Sequence, residues 1–365
     1  MRVLVVNPGS SSLKVRLLDA ADQVTGSADL PAPRGQADQE QFRAALAGLG
    51  EADAVGYRVV HGGTYFTGPV QVDDQVLARL TSLTDLAPLH QPKSLAAVAA
   101  VRQVLPDLPG VACFDTAFHA TIPPAAHTYA LPREWRQRWA LRRYGFHGLS
   151  HSYVSRRAAQ LAAGSGPAGR IVTCHLGAGA SLAAVRDGAS VDTTMGFTPL
   201  EGLVMATRSG TVDPGLVLWL EEHAGTPPAE LAATLEHRSG LLGLAGTPDM
   251  RAVVAGEQAG EEAARLAFGV YIHRLRAETA AMTAALGGLD VLVFTGGVGE
   301  NSPEVRAAAA AGLGFLGVEL DPAANAGAAG EQDIGRPGAA VRTFVIPARE
   351  DLEVAAQVRT VLTQR

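Results

Sequence analysis

The sequence predicts an α/β protein of two domains, each opening on a hairpin and continuing as strands that alternate with helices. Three observations predict it. The chain has 365 residues, more than one typical core holds. Short runs rich in Val, Leu and Ile alternate with helical periods, which indicates a largely parallel sheet whose ligands gather at the carboxyl ends of the strands. Finally, the opening stretch RVLVVNPGSSSLKVRLLD (residues 2–19) is echoed by RIVTCHLGAGASLAAV (residues 170–185).

The opening stretch reads as strand, tight polar turn, strand. Gly9 permits close backbone approach, and the serines that follow it supply donors without bulk. On these residues alone the turn is either a phosphate-binding loop or an ordinary Ser-rich hairpin. Residues 24–30 then offer a third strand, PAPRG (31–35) a loop, and 36–46 a helix. AVGYRVVH (54–61) is a strand carrying Arg58 and His61 near its end. Two helices (73–86 and 92–105) lead to PGVACFD (109–115), an apolar strand ending in an acid. Residues 121–144, with three prolines, two tryptophans and five arginines, read as an irregular connection between domains. His147 and His151 stand at i, i+4 spacing on a helix, but the acid of an H-E-x-x-H site is missing, which disfavours zinc.

The echo at residue 170 repeats the order of basic residue, apolar strand, polar residue, Gly-rich turn with Ser, and apolar strand. Asn7 corresponds to His175 and Gly9 to Gly177. Two copies of such a turn favour a duplicated unit with a nucleotide held between the copies over a chance Gly-rich hairpin. Further on, Arg208 lies in a loop-rich stretch, helices are expected at 213–224 and 228–237, and one long helix at about 257–286. A strand (289–294) delivers TGGVGENS to a helix start, where free N–H groups and the helix dipole suit a nucleotide, although this is neither GxGxxG nor a Walker A loop. Residues 323–330 read as surface or linker, 341–346 as the last strand and 351–363 as the closing helix.

Composition narrows the function. Lys and Arg number 30 against 36 Asp and Glu, a net charge of -6, so no global basic field attracts nucleic acid or anionic lipid. Cys113 and Cys174 form no CxxC pair and read as reduced thiols. No run reads as a signal peptide or membrane span, and the expectation is a cytoplasmic protein without membrane or nucleic-acid partners.

Taken together, NPGSSSLK, RVVHGG, FDTAFH, GFHGLSH, HLGAGAS, MGFTPLEGLVMATRSGTVDPG, SGLLGLAG and FTGGVGENS resemble the ordered motifs of the acetate kinases, from the first strand to the last helix. The resemblance implies the duplicated actin-like, ribonuclease H-like ATPase superfold with nucleotide in an interdomain cleft. Residues 1–120 plus 349–365 are expected to form the carboxylate and phosphoryl domain. Residues 121–348 are expected to form the nucleotide domain, which would also carry a homodimer interface.

The implied reaction is reversible transfer of the ATP γ-phosphoryl group to acetate, giving acetyl phosphate and ADP, with Mg²⁺ (or Mn²⁺). By the same resemblance Arg58, Arg208, His147 and Asp115 are catalytic, and Asn7 and Glu350 serve the metal, with Asp351 as the alternative acid. Arg58, Val60, Leu89, Phe146 and Pro199 would hold acetate. Lys14, Ser10, Ser12 and the turn His175, Leu176, Gly177, Ala178 and Gly179 would face phosphates, although Lys14 also fits a solvent-facing strand position. Asp249, Met250 and Arg251, with Gly296, Gly297, Val298, Gly299 and Glu300, would line the nucleoside side.

Arginine forks suit carboxylate and phosphoryl oxygens, and phosphoryl transfer needs positioning and charge cancellation rather than a protein nucleophile. Departures bear on the choice of donor and acceptor. Ala178 and Ala180 stand where the family commonly has Asn and Ser, LHQPKS replaces LHNPxN, and the segment before Arg58 is short. The alternatives are a propionate or butyrate kinase, a pyrophosphate-using acetate kinase, or an actin-like nucleotide-switching module without turnover.

Overall fold

The computed structural model describes residues 1–9, 12–31, 39–86, 91–164 and 166–364. The chain divides into two compact units: residues 1–120 with 146–153 and 349–365, and residues 121–145 with 154–348. The first contains β1 (Val3–Pro8), β2 (Ser12–Leu18), β3 (Val24–Pro31), β4 (Ala54–Val59), β5 (Val70–Gln71) and β6 (Gly110–Phe114). The second contains β7 (Arg170–Leu176), β8 (Ala180–Arg186), β9 (Ala189–Thr193), β10 (Val291–Thr295), β11 (Gln332–Asp333) and β12 (Arg342–Val345). Their sheet orders are β3-β2-β1-β4-β6-β5 and β9-β8-β7-β10-β12-β11. In each, an antiparallel triplet is extended by two parallel strands and closed by a short antiparallel edge strand.

The duplication extends to the register. Asn7 opposes Lys14, one pair from the end of the β1–β2 ladder, and His175 opposes Ser181 at the same place in the β7–β8 ladder. Both turns close with a similar bond: the Gly9 amide donates to the Ser12 carbonyl at 2.7 Å, and the Gly177 amide to the Gly179 carbonyl at 3.0 Å.

Successive side chains on a strand point to opposite faces, so each parallel strand of the first unit serves two cores. Leu4, Val6, Val55, Tyr57, Val59 and Phe114 pack on one face under the helices Gln39–Leu49 and Gln91–Val104. Val3, Val5, Ala54, Val111 and Cys113 pack on the other against Val354, Ala355 and Val358 of the helix Glu350–Thr363. That helix lies close because Gly56 has no side chain. A Cβ there would sit 2.8 Å from a Val358 methyl and nearer still to Val354. Burial of apolar surface drives the contact, and the small residue sets its distance.

Some expectations give way. The long helix expected near 257–286 is two, Met250–Gln258 and Glu262–Leu286, separated at Gly260 with φ +82°. The stretch 323–330, expected as surface or linker, is mostly exposed but is no linker. It carries the helix Pro322–Ala326, whose buried Asn325 accepts the Nε–H of Arg306 at 2.7 Å. Arg306 is itself 1% exposed and also donates to the carbonyls of Gly299 and Glu300. The segment 121–144 includes the short helices Pro124–His127 and Arg133–Trp139. Ser10, Leu89, His90 and most of PAPRG lie outside the described residues.

Beyond β4 the chain turns through His61, which is fully buried. Its Nδ1 accepts the Gly63 amide at 2.8 Å, and the Gln91 amide brackets its backbone, accepting from His61 N–H at 3.3 Å and donating to its carbonyl at 3.1 Å. Gln91 thus has a structural role at the position where LHQPKS departs from the related motif. Burial lowers the imidazole pKa to about 4.

Two predictions follow from this packing. Gly56→Ala forces the C-terminal helix outward and lowers stability by about 1–3 kcal/mol in urea denaturation, the usual cost of overfilling a packed core. The His61 pKa lies below that of an unfolded histidine, so the unfolded state takes up the proton first. Stability from this group is intact above pH ~6.5 and is lost as pH falls toward 4. Between pH 7 and 5 the wild type should lose about 2 kcal/mol more than His61→Asn, read from denaturation at the two pH values.

Candidate active site

Alternation on three neighbouring strands brings a polar group to the same end and face of the first sheet. Val3, Val5 and Asn7 share the face of the C-terminal helix, as do Ala54, Gly56 and Arg58, and Val111, Cys113 and Asp115. Arg58 donates through Nε to Asp115 Oδ1 at 3.2 Å and through Nη2 to Oδ2 at 2.7 Å, a two-pronged pair. Its Nη1 donates to Asn7 Oδ1 at 3.0 Å. Asn7 in turn donates through Nδ2 to Glu350 Oε2 at 3.0 Å, and that carboxylate lies 3.6 Å from Arg58 Nε. Four residues distant in sequence therefore form one network.

The network is largely sealed from water, with Asp115 side-chain exposure at 1% and Arg58 and Glu350 at 16% and 15%. Burial opposes the Arg58 charge, yet Asp115 and Glu350 outweigh it and hold the guanidinium above its ordinary pKa. Burial also pushes the Asp115 carboxyl upward, Arg58 pulls it back, and Glu350 adds to the rise. Asp351 turns elsewhere, paired with Arg349 at 2.8 and 2.9 Å. Of the two adjacent acids, only Glu350 joins this network.

His147 is placed by its neighbour. The Gly148 amide donates to the Asp115 carbonyl at 3.0 Å, and a Cβ at Gly148 would collide with that oxygen. His147 itself holds φ 55°, a left-handed conformation that costs a non-glycine residue about 1 kcal/mol or more. His151, one turn later, is fully buried with its ring 5.7 Å from that of His119, so it belongs to the core. Val60 and Phe146 are buried, Ser12 is half-buried, and Lys14 is exposed on the strand face it shares with Asn7.

The second unit supplies a different kind of site. Gly177, Ala178, Asp249, Met250, Arg251, Gly297 and Val298 line one cleft of about 460 Å³, within the range of small-molecule sites. Asp249 caps the helix Met250–Gln258, accepting from the Arg251 amide at 3.0 Å, and pairs with the Arg251 guanidinium at 2.8 Å. Glu300 faces inward: its carboxylate accepts the Gly296 amide at 2.9 Å and the Ala348 amide at 3.0 Å, bracing the glycine turn. His175 and Gly179 are half-buried, while Leu176, Gly296 and Gly299 are buried.

The Ala178 carbonyl accepts the Ala206 amide at 3.1 Å, tying this turn to the loop that carries Arg208. Arg208 is half-buried and donates to the Pro199 carbonyl at 3.4 Å. Burial lowers its pKa, partly countered by Glu236. Cys113 and Cys174 are free and buried, and burial pushes the Cys174 thiol up to about 12, so neither is a ready nucleophile.

The donors around Arg58 are hard oxygens: the Asn7 amide and the Asp115 and Glu350 carboxylates. Among the described residues no group of three His, Cys, Asp or Glu could hold a metal alone. Such a set fits magnesium, which takes one or two carboxylates and fills its other positions with water and phosphate oxygens. Among the described residues no helix is long and apolar enough to cross a membrane.

Comparison with known proteins agrees with these features. Residues 36–356 match the Acetokinase family. The chain is 46% identical to an acetate kinase of Leifsonia xyli subsp. xyli, with 97% of each chain covered. It superposes on the crystal structure of Porphyromonas gingivalis acetate kinase with TM-score 0.91 at 36% identity, covering 99% of both chains. It superposes on a propionate kinase of Francisella tularensis subsp. tularensis with TM-score 0.89 at 34% identity, covering 98% of both. Profile, sequence and fold converge over nearly the whole chain, and the chain belongs to the acetokinase family of acetate kinases.

Proposed function

We propose that the protein transfers the γ-phosphoryl group of ATP reversibly and directly to acetate, giving acetyl phosphate and ADP. The observation that carries this reading is the convergence of Asn7, Arg58, Asp115 and Glu350 at one end of a sheet in a chain of this family. In-line transfer asks for fixed charge near the equatorial oxygens and leaves no role for a covalent protein intermediate. Arg58 and Arg208 supply that charge, and His147 stabilises the transition state from its constrained backbone position. Asp115 orients Arg58 through the two-pronged pair.

Asn7 and Glu350 would hold magnesium, which shields phosphate charge when bound. Val60, Phe146 and Pro199, with Leu89, are the residues we assign to the acetate methyl. The cleft lined by Gly177, Ala178, Asp249, Met250, Arg251, Gly297 and Val298 takes the nucleotide, and the turns through His175, Leu176, Gly179, Gly296, Gly299 and Glu300 support that lining. Lys14, Ser10 and Ser12 are the residues we assign to phosphate binding in the first turn. One specific observation favours a second acceptor: a structural neighbour at 34% identity is named a propionate kinase. A methyl pocket separates homologues differing by one CH₂ by only about 10- to 200-fold.

The enzyme works in the cytoplasm as a homodimer. The helix Pro214–Glu222 supports this second part. It buries none of its residues and leaves Leu216, Leu218 and Trp219 exposed at 49%, 57% and 53%. Large apolar side chains grouped in this way suit a protein interface.

A hydroxamate assay for acyl phosphate, run with acetate, propionate and butyrate and with ATP, GTP or pyrophosphate, tests the reading. Acetate with ATP should give the highest kcat/KM, and a preference for butyrate or pyrophosphate overturns it. Arg58→Ala and Arg208→Ala should each lower turnover by about 10²- to 10³-fold while circular dichroism stays unchanged. Wild-type rates in both would remove the charge-stabilisation mechanism. The double variant Leu218→Asp, Trp219→Ser should halve the mass seen by light scattering, and an unchanged mass rejects this surface as the interface.

A further inference from the structure

The loop that carries Pro199 and Arg208 is gripped at its beginning by three side chains. Glu201 accepts the Tyr129 hydroxyl at 2.5 Å on one carboxylate oxygen and Arg143 Nη2 at 2.7 Å on the other. Arg143 Nη1 donates to the carbonyls of Thr194 and Met195 at 3.0 and 3.1 Å. The Tyr129 oxygen accepts the Phe197 amide at 2.9 Å, and the Arg143 guanidinium lies 5.8 Å from the Tyr129 ring centre. The Gly196 carbonyl accepts the Tyr144 amide at 3.0 Å, and a side chain at Gly196 would collide with both Glu201 and the Tyr129 hydroxyl. Pro199 sits inside this bracket and receives Arg208 Nη1 on its carbonyl.

The grip has more parts than a surface ion pair. Arg143 and Glu201 side chains are 17% and 32% exposed, and the Arg143 fork satisfies a carboxylate and two backbone carbonyls at once. Planar forks of this kind fix geometry, and a point charge does not. Its members come from the segment 121–145 and from the loop itself, so the loop is located from outside its own sequence.

We infer that Tyr129, Arg143 and Glu201 form a positioning clamp that sets Pro199 and Arg208 for the carboxylate substrate. This rests on the roles given to Pro199 and Arg208 in the proposed function. None of the three is expected to touch substrate. Their effect is on how well the reacting groups are placed, where a displacement near 1 Å can cost about 10²-fold in rate.

The clamp predicts a split between substrates. Tyr129→Phe, which removes one oxygen and preserves the ring, should lower kcat/KM for acetate by about 10- to 100-fold, with the KM for ATP within about twofold of wild type. Arg143→Lys, which keeps charge and loses the fork, should behave similarly. Glu201→Gln, which keeps shape and one acceptor, should lose less than Glu201→Ala. Thermal midpoints measured alongside normalise for folded protein, and Glu201→Gln serves where Arg143→Lys does not fold.

Parallel changes in the ATP and acetate parameters, or wild-type acetate kinetics in Tyr129→Phe, overturn the clamp. Turnover unaffected in Arg208→Ala overturns the role given to Arg208 and the clamp with it. Loss of turnover in Arg208→Ala beside wild-type behaviour in Tyr129→Phe overturns the clamp alone.

Discussion

The two-pronged pair between Arg58 and Asp115 is the interaction on which the first unit depends. Its 3.2 and 2.7 Å bonds join side chains from the ends of neighbouring parallel strands, in a place where Asp115 is 1% exposed. Removing either partner strands a buried charge at a cost of about 3–5 kcal/mol, more than an intact pair adds to stability. Such a pair is weak evidence for stability, while its two-pronged form fixes the orientation of the guanidinium. Everything around it serves that geometry. Period-two alternation puts Asn7 on the same face, Gly56 lets the C-terminal helix approach, and the first residue of that helix, Glu350, then reaches Asn7.

The duplicated unit repeats the framework without the charges. His175 is opposite Thr295 across the β7–β10 ladder, and one step beyond Val6 opposite Tyr57 the equivalent pair is Asn7 and Arg58. Thr295, fully buried, therefore stands where the first unit has its guanidinium. The second unit offers glycine turns and small residues around a cleft of about 460 Å³. Its glycine turns present backbone to that cleft with the Asp249–Arg251 pair in the lining, whereas the first unit holds a buried guanidinium. One strand order thus carries two different sets of side chains because strand ends and turns can change while the packed faces are kept.

The sequence was legible wherever a local period or a motif carried the information. Asn7 and Asp115 each follow an apolar run and Arg58 lies near the end of another, while the strand pairing that brings them to one face is seen only in the structure. The echo between NPGSSS and HLGAGA appears in the structure as matching register and matching turn bonds. Features set by tertiary packing were not legible. Arg306, in an Ala-rich helix, is buried on carbonyls of the glycine turn and on Asn325, which lies in a stretch read as surface or linker. The break at Gly260 was hidden because helical periods resume on both sides. Tyr129 and Arg143 sit in a segment with no period at all, and their partner Glu201 is 72 and 58 residues away. Ala178 reads as a lost donor from its side chain, while the structure shows its carbonyl engaged with Ala206.

His147 shows how strain and connectivity combine at such a place. A left-handed histidine costs free energy that an isolated turn would release by relaxing to negative φ. Here the next residue is fixed: the Gly148 amide donates to the carbonyl of Asp115, and there is room for that approach only without a Cβ. The residue before it is also fixed, since the Phe146 carbonyl is bonded to the buried His119 ring at 3.0 Å and its own ring packs against His61. Held on both sides, His147 cannot reorient without disturbing the backbone of Asp115, and Asp115 cannot move without disturbing Arg58. The His147 backbone, the acid and the guanidinium therefore share one reference point, the end of β6.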